Sequence, residues 1–238
     1  MRLLRLLPLV VAAGCQSQMF ARGTFVAEAP TPVIRADVHV QISFFGIPLA
    51  GAQDVVFVLD RSGSMHGIAA GFAGEDVGMS KTQTAIVGIA GTLMGPKNLS
   101  KMEAAKAELV NTLQAMPDGT RFMIIFFDDD LSAFAPNMLT LEAGTRAAAI
   151  NFVRNIKPGG STAAVPALRL AYKAGAARVI LLSDGLANTG GSADDLIAEA
   201  RVEMQRGVRI DTVGLGIDQD SALLNTLAAE SGGLAIKR

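Results

Sequence analysis

Asp60, Ser62 and Ser64 stand at alternate positions in the stretch Asp60-Arg61-Ser62-Gly63-Ser64-Met65. One carboxylate and two hydroxyls converge from one short loop, with Gly63 allowing the backbone to turn tightly. Three hard oxygens gathered in this way suit a hard divalent cation. The residues before them, Asp54-Val55-Val56-Phe57-Val58-Leu59, form a short apolar run rich in β-branched side chains. Such a run reads as a buried strand of a parallel sheet. The oxygens therefore leave the carboxyl end of a strand, where open α/β sheets keep their ligand sites.

The stretch resembles the D-x-S-x-S signature of the von Willebrand factor A (VWA) domain family, which opens that family's metal-ion-dependent adhesion site. The family pattern adds a Thr in a Gly-rich loop and an Asp after a later buried strand. Here the loop is Lys157-Pro158-Gly159-Gly160-Ser161-Thr162, and the strand Arg178-Val179-Ile180-Leu181-Leu182-Ser183 is followed by Asp184-Gly185. Order, spacing and apolar flanks agree from Asp54 to the end of the chain. The resemblance implies that Ser62, Ser64 and Thr162 bind a metal directly, and that Asp60 and Asp184 do so directly or through water. The implied ion is Mg²⁺ or Mn²⁺, since octahedral oxygen coordination with retained waters fits two carboxylates and three hydroxyls. Neutral hydroxyls under-neutralise the cation. An open coordination position would then accept an acidic side chain of a protein partner, which is the family's mode of adhesion and involves no catalysis. Two departures stand out: Ala163 follows Thr162 where the family often has Asn or Asp, and the first helix is delayed.

The elements that must position these residues can be read outward from them. At 238 residues, half of them hydrophobic, the chain holds enough apolar material for one α/β domain and an appendage. A formal charge of -1 gives no basic excess for nucleic acid. The one Cys excludes an intrachain disulfide. Residues 1–14 have the cationic start and short apolar core of a signal peptide, too short to stay across a bilayer. Ala12-Ala13-Gly14-Cys15 resembles the bacterial lipobox, with Ala12 where Leu or Val is usual, and the resemblance implies an envelope protein held to the membrane by a lipid on Cys15. The alternative is ordinary cleavage at the small residues with Cys15 an incidental thiol, and either way the protein is exported. Residues 15–33 read as a tether. Residues 34–53 form a β extension: Ile34 to Phe44 alternates apolar and polar residues, predicting a half-exposed strand that extends or covers the sheet edge. His39 falls on its solvated face.

The VWA-like region spans 54–238 and carries an insertion at 66–99 on the metal-bearing side. Within it Ala85, Ile86, Ile89, Ala90, Leu93 and Met94 have helical spacing before Gly95-Pro96. Ser100 and Glu103 predict a capping box for the delayed helix, whose buried stripe is Met102, Ala105, Leu109, Leu113 and Met116. Strands follow at Arg121–Phe127, Leu131–Phe134, Arg178–Ser183, Arg209–Gly214 and Leu234–Lys237. Helices are expected at Leu141–Ile156, Thr162–Ala174, Ser192–Arg206 and Asp220–Ser231. Asp128-Asp129-Asp130 reads as a solvated turn, with a second cation site as the sharper alternative. The fold class is therefore α/β: a doubly wound, mostly parallel, Rossmann-like sheet with helices on both faces, plus the N-terminal strand.

Two other readings compete with adhesion. A haloacid dehalogenase-type phosphatase would use Asp60 as nucleophile and Mg²⁺, but it needs a second Asp two residues on, where Ser62 stands. Alternatively, the domain is a structural module whose metal is coordinatively closed. A Ser/His/Asp triad lacks its nucleophile elbow, and Gly214-Leu215-Gly216 lacks the third glycine of a dinucleotide site.

Overall fold

The computed structural model describes residues 42–69, 99–184, 191–216 and 219–238. The signal segment, Cys15, the tether, His39, most of the alternating 34–44 stretch and the 85–94 helix lie outside the described residues.

Strand β3 (Val55–Asp60) is buried along its whole length, as its uninterrupted apolar run requires. It pairs in parallel with β4 (Arg121–Phe127) on one side and β7 (Arg178–Ser183) on the other. The sheet continues in parallel through β8 (Arg209–Gly214) to β9 (Ala235–Lys237). At the opposite edge β5 (Leu131–Ala133) and β6 (Leu139–Thr140) both run antiparallel to β4, one at each of its ends.

Side chains along each strand alternate between two cores. Val55, Phe57 and Leu59 face α1 (Lys101–Ala115) and α2 (Ala143–Asn155), together with Phe122, Ile124, Phe126, Ile180 and Leu182. Val56 and Val58 face α3 (Ala164–Lys173), α4 (Ala193–Met204) and α5 (Ser221–Ser231). Each fully buried Val, Leu, Ile or Phe contributes about 1.5–3 kcal/mol over leaving it exposed. The expected doubly wound α/β sheet with helices on both faces is the observed fold. From β3 the chain passes through α1 to β4, while from β7 it passes through α4 to β8 on the other side. The carboxyl ends of β3 and β7 therefore flank the point where the winding reverses, the place where open α/β sheets keep their ligand sites.

Three expectations are corrected. The described part of the N-terminal β extension does not extend the main sheet. It forms a separate two-stranded hairpin, β1 (Ser43–Phe44) with β2 (Ile47–Pro48). Phe45 and Gly46 both take positive φ, 50° and 91°, as a two-residue hairpin turn of type I′ demands. A bulky residue is costly there. Burial of Phe45 offsets the cost, as does the bond from its N–H to Glu108 Oε1 on α1 at 2.7 Å. The capping box at α1 is half formed: Glu103 N–H donates to Ser100 Oγ at 3.1 Å, but the Glu103 carboxylate accepts from Lys106. The acidic turn is only partly solvated. Asp129 and Asp130 are exposed, whereas Asp128 is buried and bound by Arg61 Nη2 at 2.8 Å.

Candidate metal centre

The β3 backbone delivers Asp60 to the carboxyl edge, and the loop that follows is held from two directions. Arg61 N–H donates to Phe127 O at the end of β4, and Gly63 N–H donates to Gly160 O in the Gly-rich loop. Gly159 N–H returns a bond to Arg61 O at 2.8 Å. Gly160 has φ +72°, and a Cβ there would come within 2.8 Å of Asp129 Oδ2, so a side chain would push the two loops apart. The loop continues to Thr162, which is buried, and Ala163 N–H fixes its far side by donating to Asp128 O at 3.0 Å.

Four of the five expected site residues form one hydrogen-bonded chain. Asp60 Oδ1 accepts from Ser62 N–H at 2.8 Å, and Asp60 Oδ2 accepts from Ser183 Oγ at 2.8 Å. Ser62 Oγ lies 2.9 Å from Ser64 Oγ, and Ser64 Oγ donates to Asp184 Oδ1 at 2.8 Å. Asp60, Ser62 and Asp184 are buried, while Ser64 is exposed. The chain of oxygens thus starts beneath the surface and reaches solvent at Ser64.

Two observations bear on whether a divalent cation fits. Adjacent ligands on an octahedron with bonds of 2.0–2.1 Å lie about 2.8–3.0 Å apart, the spacing seen from Ser62 to Ser64 to Asp184. Burial, moreover, pushes the Asp60 carboxyl above the ordinary aspartate range. Bonds from the Ser62 side chain and backbone and from Ser183 pull it back, while the neighbouring Asp184 pushes it further up. A cation beside both carboxylates would relieve the desolvation and the repulsion together. The donors therefore suit a hard divalent cation. Among the described residues no group of three or more His, Cys, Asp or Glu gathers as a metal site.

Sequence reasoning missed three participants. Ser183, the last residue of β7, braces Asp60 from the neighbouring strand. Asp128 ties Arg61 and the Gly-rich loop together. Lys101 is buried at the first position of α1, and its ammonium donates to Asp184 Oδ2 at 2.9 Å. One signal for Lys101 was present: a lysine at a helix N-terminus opposes the positive end of the helix dipole and calls for an anionic partner.

The delayed helix is explained at its two ends. Ala69 N–H donates to Leu99 O, Lys101 N–H donates to Gly67 O, and Ile68 bridges Ser100 in antiparallel fashion. The chain thus leaves beside the oxygen loop and returns to the same place, and residues 70–98 between lie outside the described residues.

Comparison with known proteins bears on the fold and the family. Among curated proteins none matches. A von Willebrand factor type A protein from Catenulispora acidiphila superimposes with a TM-score of 0.57 at 22% identity, over 79% of this chain and 39% of that one. This chain thus spans about two-fifths of that protein's length. An aerotolerance-related membrane protein from Bacteroides fragilis aligns with a TM-score of 0.54 at 18% identity, over 79% of this chain and 92% of that one. Proximal thread matrix protein 1 from the mussel byssus, in a structure with a zinc-occupied MIDAS motif, gives 0.51 at 18% identity, over 77% and 40%. These likenesses share the fold. The von Willebrand factor type A domain profile matches residues 94–236, more than half of the sequence, and so the chain belongs to the von Willebrand factor type A domain family.

Proposed function

We propose that the domain binds Mg²⁺ or Mn²⁺ through Asp60, Ser62, Ser64, Thr162 and Asp184, and through that ion holds an acidic side chain of a protein partner. The observation that carries this reading is the chain of oxygens from Asp60 to Asp184, buried at its ends and exposed at Ser64. When bound, the ion supplies an electrophilic position for a carboxylate. The protein's own residues prepare that position. Ser183 and the Ser62 N–H fix the Asp60 carboxylate, Asp128 and Gly160 fix the two loops against each other, and Ser64 marks the side open to a partner. No residue is assigned a nucleophilic or proton-transfer role, so the proposed activity is binding without catalysis.

The test is calorimetric titration of Mg²⁺ and Mn²⁺ into the full chain, into Asp60→Ala and into Thr162→Ala, followed by an acidic peptide. Saturable metal binding lost in both variants, with peptide binding that needs the metal, is the expected result. Unchanged metal and peptide binding in both variants would overturn the reading.

The same reading places the domain at a bacterial cell envelope, exported by residues 1–14 and lipid-anchored through Cys15. Support comes from the lipobox-like Ala12-Ala13-Gly14-Cys15, and one protein that shares the fold is described as a membrane protein of Bacteroides fragilis. Among the described residues no helix is long and apolar enough to cross a membrane. Metabolic labelling with a radioactive fatty acid should mark the wild type and spare Cys15→Ser; equal labelling of both would sink the anchor.

A further inference from the structure

We infer that Lys101 is a built-in counter-cation, which neutralises Asp184 when metal is absent and lowers the affinity of the site for divalent cations. The inference rests on the metal-site reading and deepens it. It starts from a division of labour on one carboxylate: Asp184 Oδ1 accepts from Ser64, on the hydroxyl chain, and Asp184 Oδ2 accepts from Lys101. The side-chain exposures are 7% for Lys101 and zero for Asp184, so the pair is screened little by solvent or salt.

The start of a helix does not favour an ammonium. Lys101 opens α1, where the helix dipole favours anions. Burial of its long side chain also forfeits rotamer freedom and hydration. The Asp184 carboxylate offsets part of this cost, and the bond from Lys101 N–H to Gly67 O holds the lysine's backbone beside the oxygen loop. Without Lys101 the two site carboxylates would present two negative charges to a dication and be neutralised by it. With Lys101 the site holds one more positive charge than it would without it, and a bound dication adds to that excess in a poorly screened place. The lysine therefore acts in two directions: it stabilises the metal-free fold and weakens metal binding. The excess charge also strengthens the attraction of the loaded site for an anionic partner group.

The experiment is Mn²⁺ titration of the full-length wild type, Lys101→Met and Lys101→Gln, paired with thermal unfolding of each in chelator and at saturating Mn²⁺. Methionine keeps the apolar stem, and glutamine keeps a donor for Asp184 Oδ2 without the charge. Both variants should bind Mn²⁺ about tenfold or more tightly than the wild type. Both should unfold at a lower temperature in chelator and regain the difference with Mn²⁺. A residue that merely oriented Asp184 would weaken binding when replaced. Equal or weaker affinity in both variants, with the wild type binding, would thus overturn the inference and leave the metal site standing. If neither the wild type nor the variants bind, the metal-site reading falls and the inference falls with it. Binding in the variants alone would support the inference and overturn metal-dependent adhesion for the natural chain. A chain that fails to fold in chelator but folds with Mn²⁺ supports the inference. One that fails in both conditions in both variants overturns it.

Discussion

Two buried carboxylates, one within the sheet and one just past the end of a neighbouring strand, are closed in different ways. Asp211, the third residue of β8, is fully buried, and guanidinium groups serve both of its oxygens. Arg178 Nε donates to Oδ2 at 2.6 Å, while Arg209 Nε and Nη2 and the Leu234 N–H donate to Oδ1. Asp184, just past β7, is equally buried, yet it receives one hydroxyl and one lysine. Guanidinium forks are planar and permanently charged, so they lock a carboxylate. A hydroxyl rotor and a flexible ammonium can both turn away. The difference separates a carboxylate that holds β7, β8 and the entry to β9 together from one left available to a ligand.

The sharpest way to break that contrast is Asp211→Ala, which strands Arg178 with only 13% of its side chain exposed. Loss of one partner from a buried ion pair costs about 3–5 kcal/mol. Urea denaturation should show a loss of that size, with the Mn²⁺ affinity of the folded fraction unchanged. A loss below about 1 kcal/mol, or a parallel loss of metal affinity, would show that the two carboxylates do not divide their roles in this way.

Glu108 lies between these extremes, and its behaviour with pH sharpens the comparison. Desolvation pushes its carboxyl above the ordinary glutamate range, and the Phe45 N–H and the nearby Arg238 only partly counter this. The folded state therefore keeps the Glu108 proton to higher pH than the unfolded chain does. As pH rises above about 4.5, the ordinary value, the folded state binds more protons and stability must fall. Glu108→Gln keeps an acceptor for Phe45 and removes the ionisation. Denaturation at pH 4 and pH 7 should find the variant gaining on the wild type as pH rises; a constant difference would contradict the assignment.

The sheet and helices were legible because their signals are local. Val55–Leu59 is a buried strand by its own composition, and Met102, Ala105, Leu109 and Leu113 form a buried stripe by spacing alone. The candidate site was legible because Asp60, Ser62 and Ser64 share one turn and the family pattern supplied Thr162 and Asp184. What escaped depends on long-range pairing. Lys101 meets Asp184 across 83 positions and Arg61 meets Asp128 across 67, separations at which no periodicity carries information. The hairpin at 43–48 escaped for another reason. Phe45 pays for its positive φ with burial and a bond to Glu108, and both depend on α1 being in place.

The smallest expected effect lies one residue from the largest inference. Ser100 caps α1 through its bond to Glu103 N–H, so Ser100→Ala should cost about 1 kcal/mol. The cap bond involves none of the five candidate metal ligands. The loss should therefore be the same in chelator and at saturating Mn²⁺, leaving metal affinity unmoved. Lys101, beside it in sequence, faces the site carboxylate, and its replacement should change the difference between the two conditions. Parallel denaturation of Ser100→Ala and Lys101→Gln thus separates the helix from the site it delivers. If Ser100→Ala also shifted the metal dependence, α1 itself would be the element that responds to the metal, and the assignment of that response to one buried ammonium would fail.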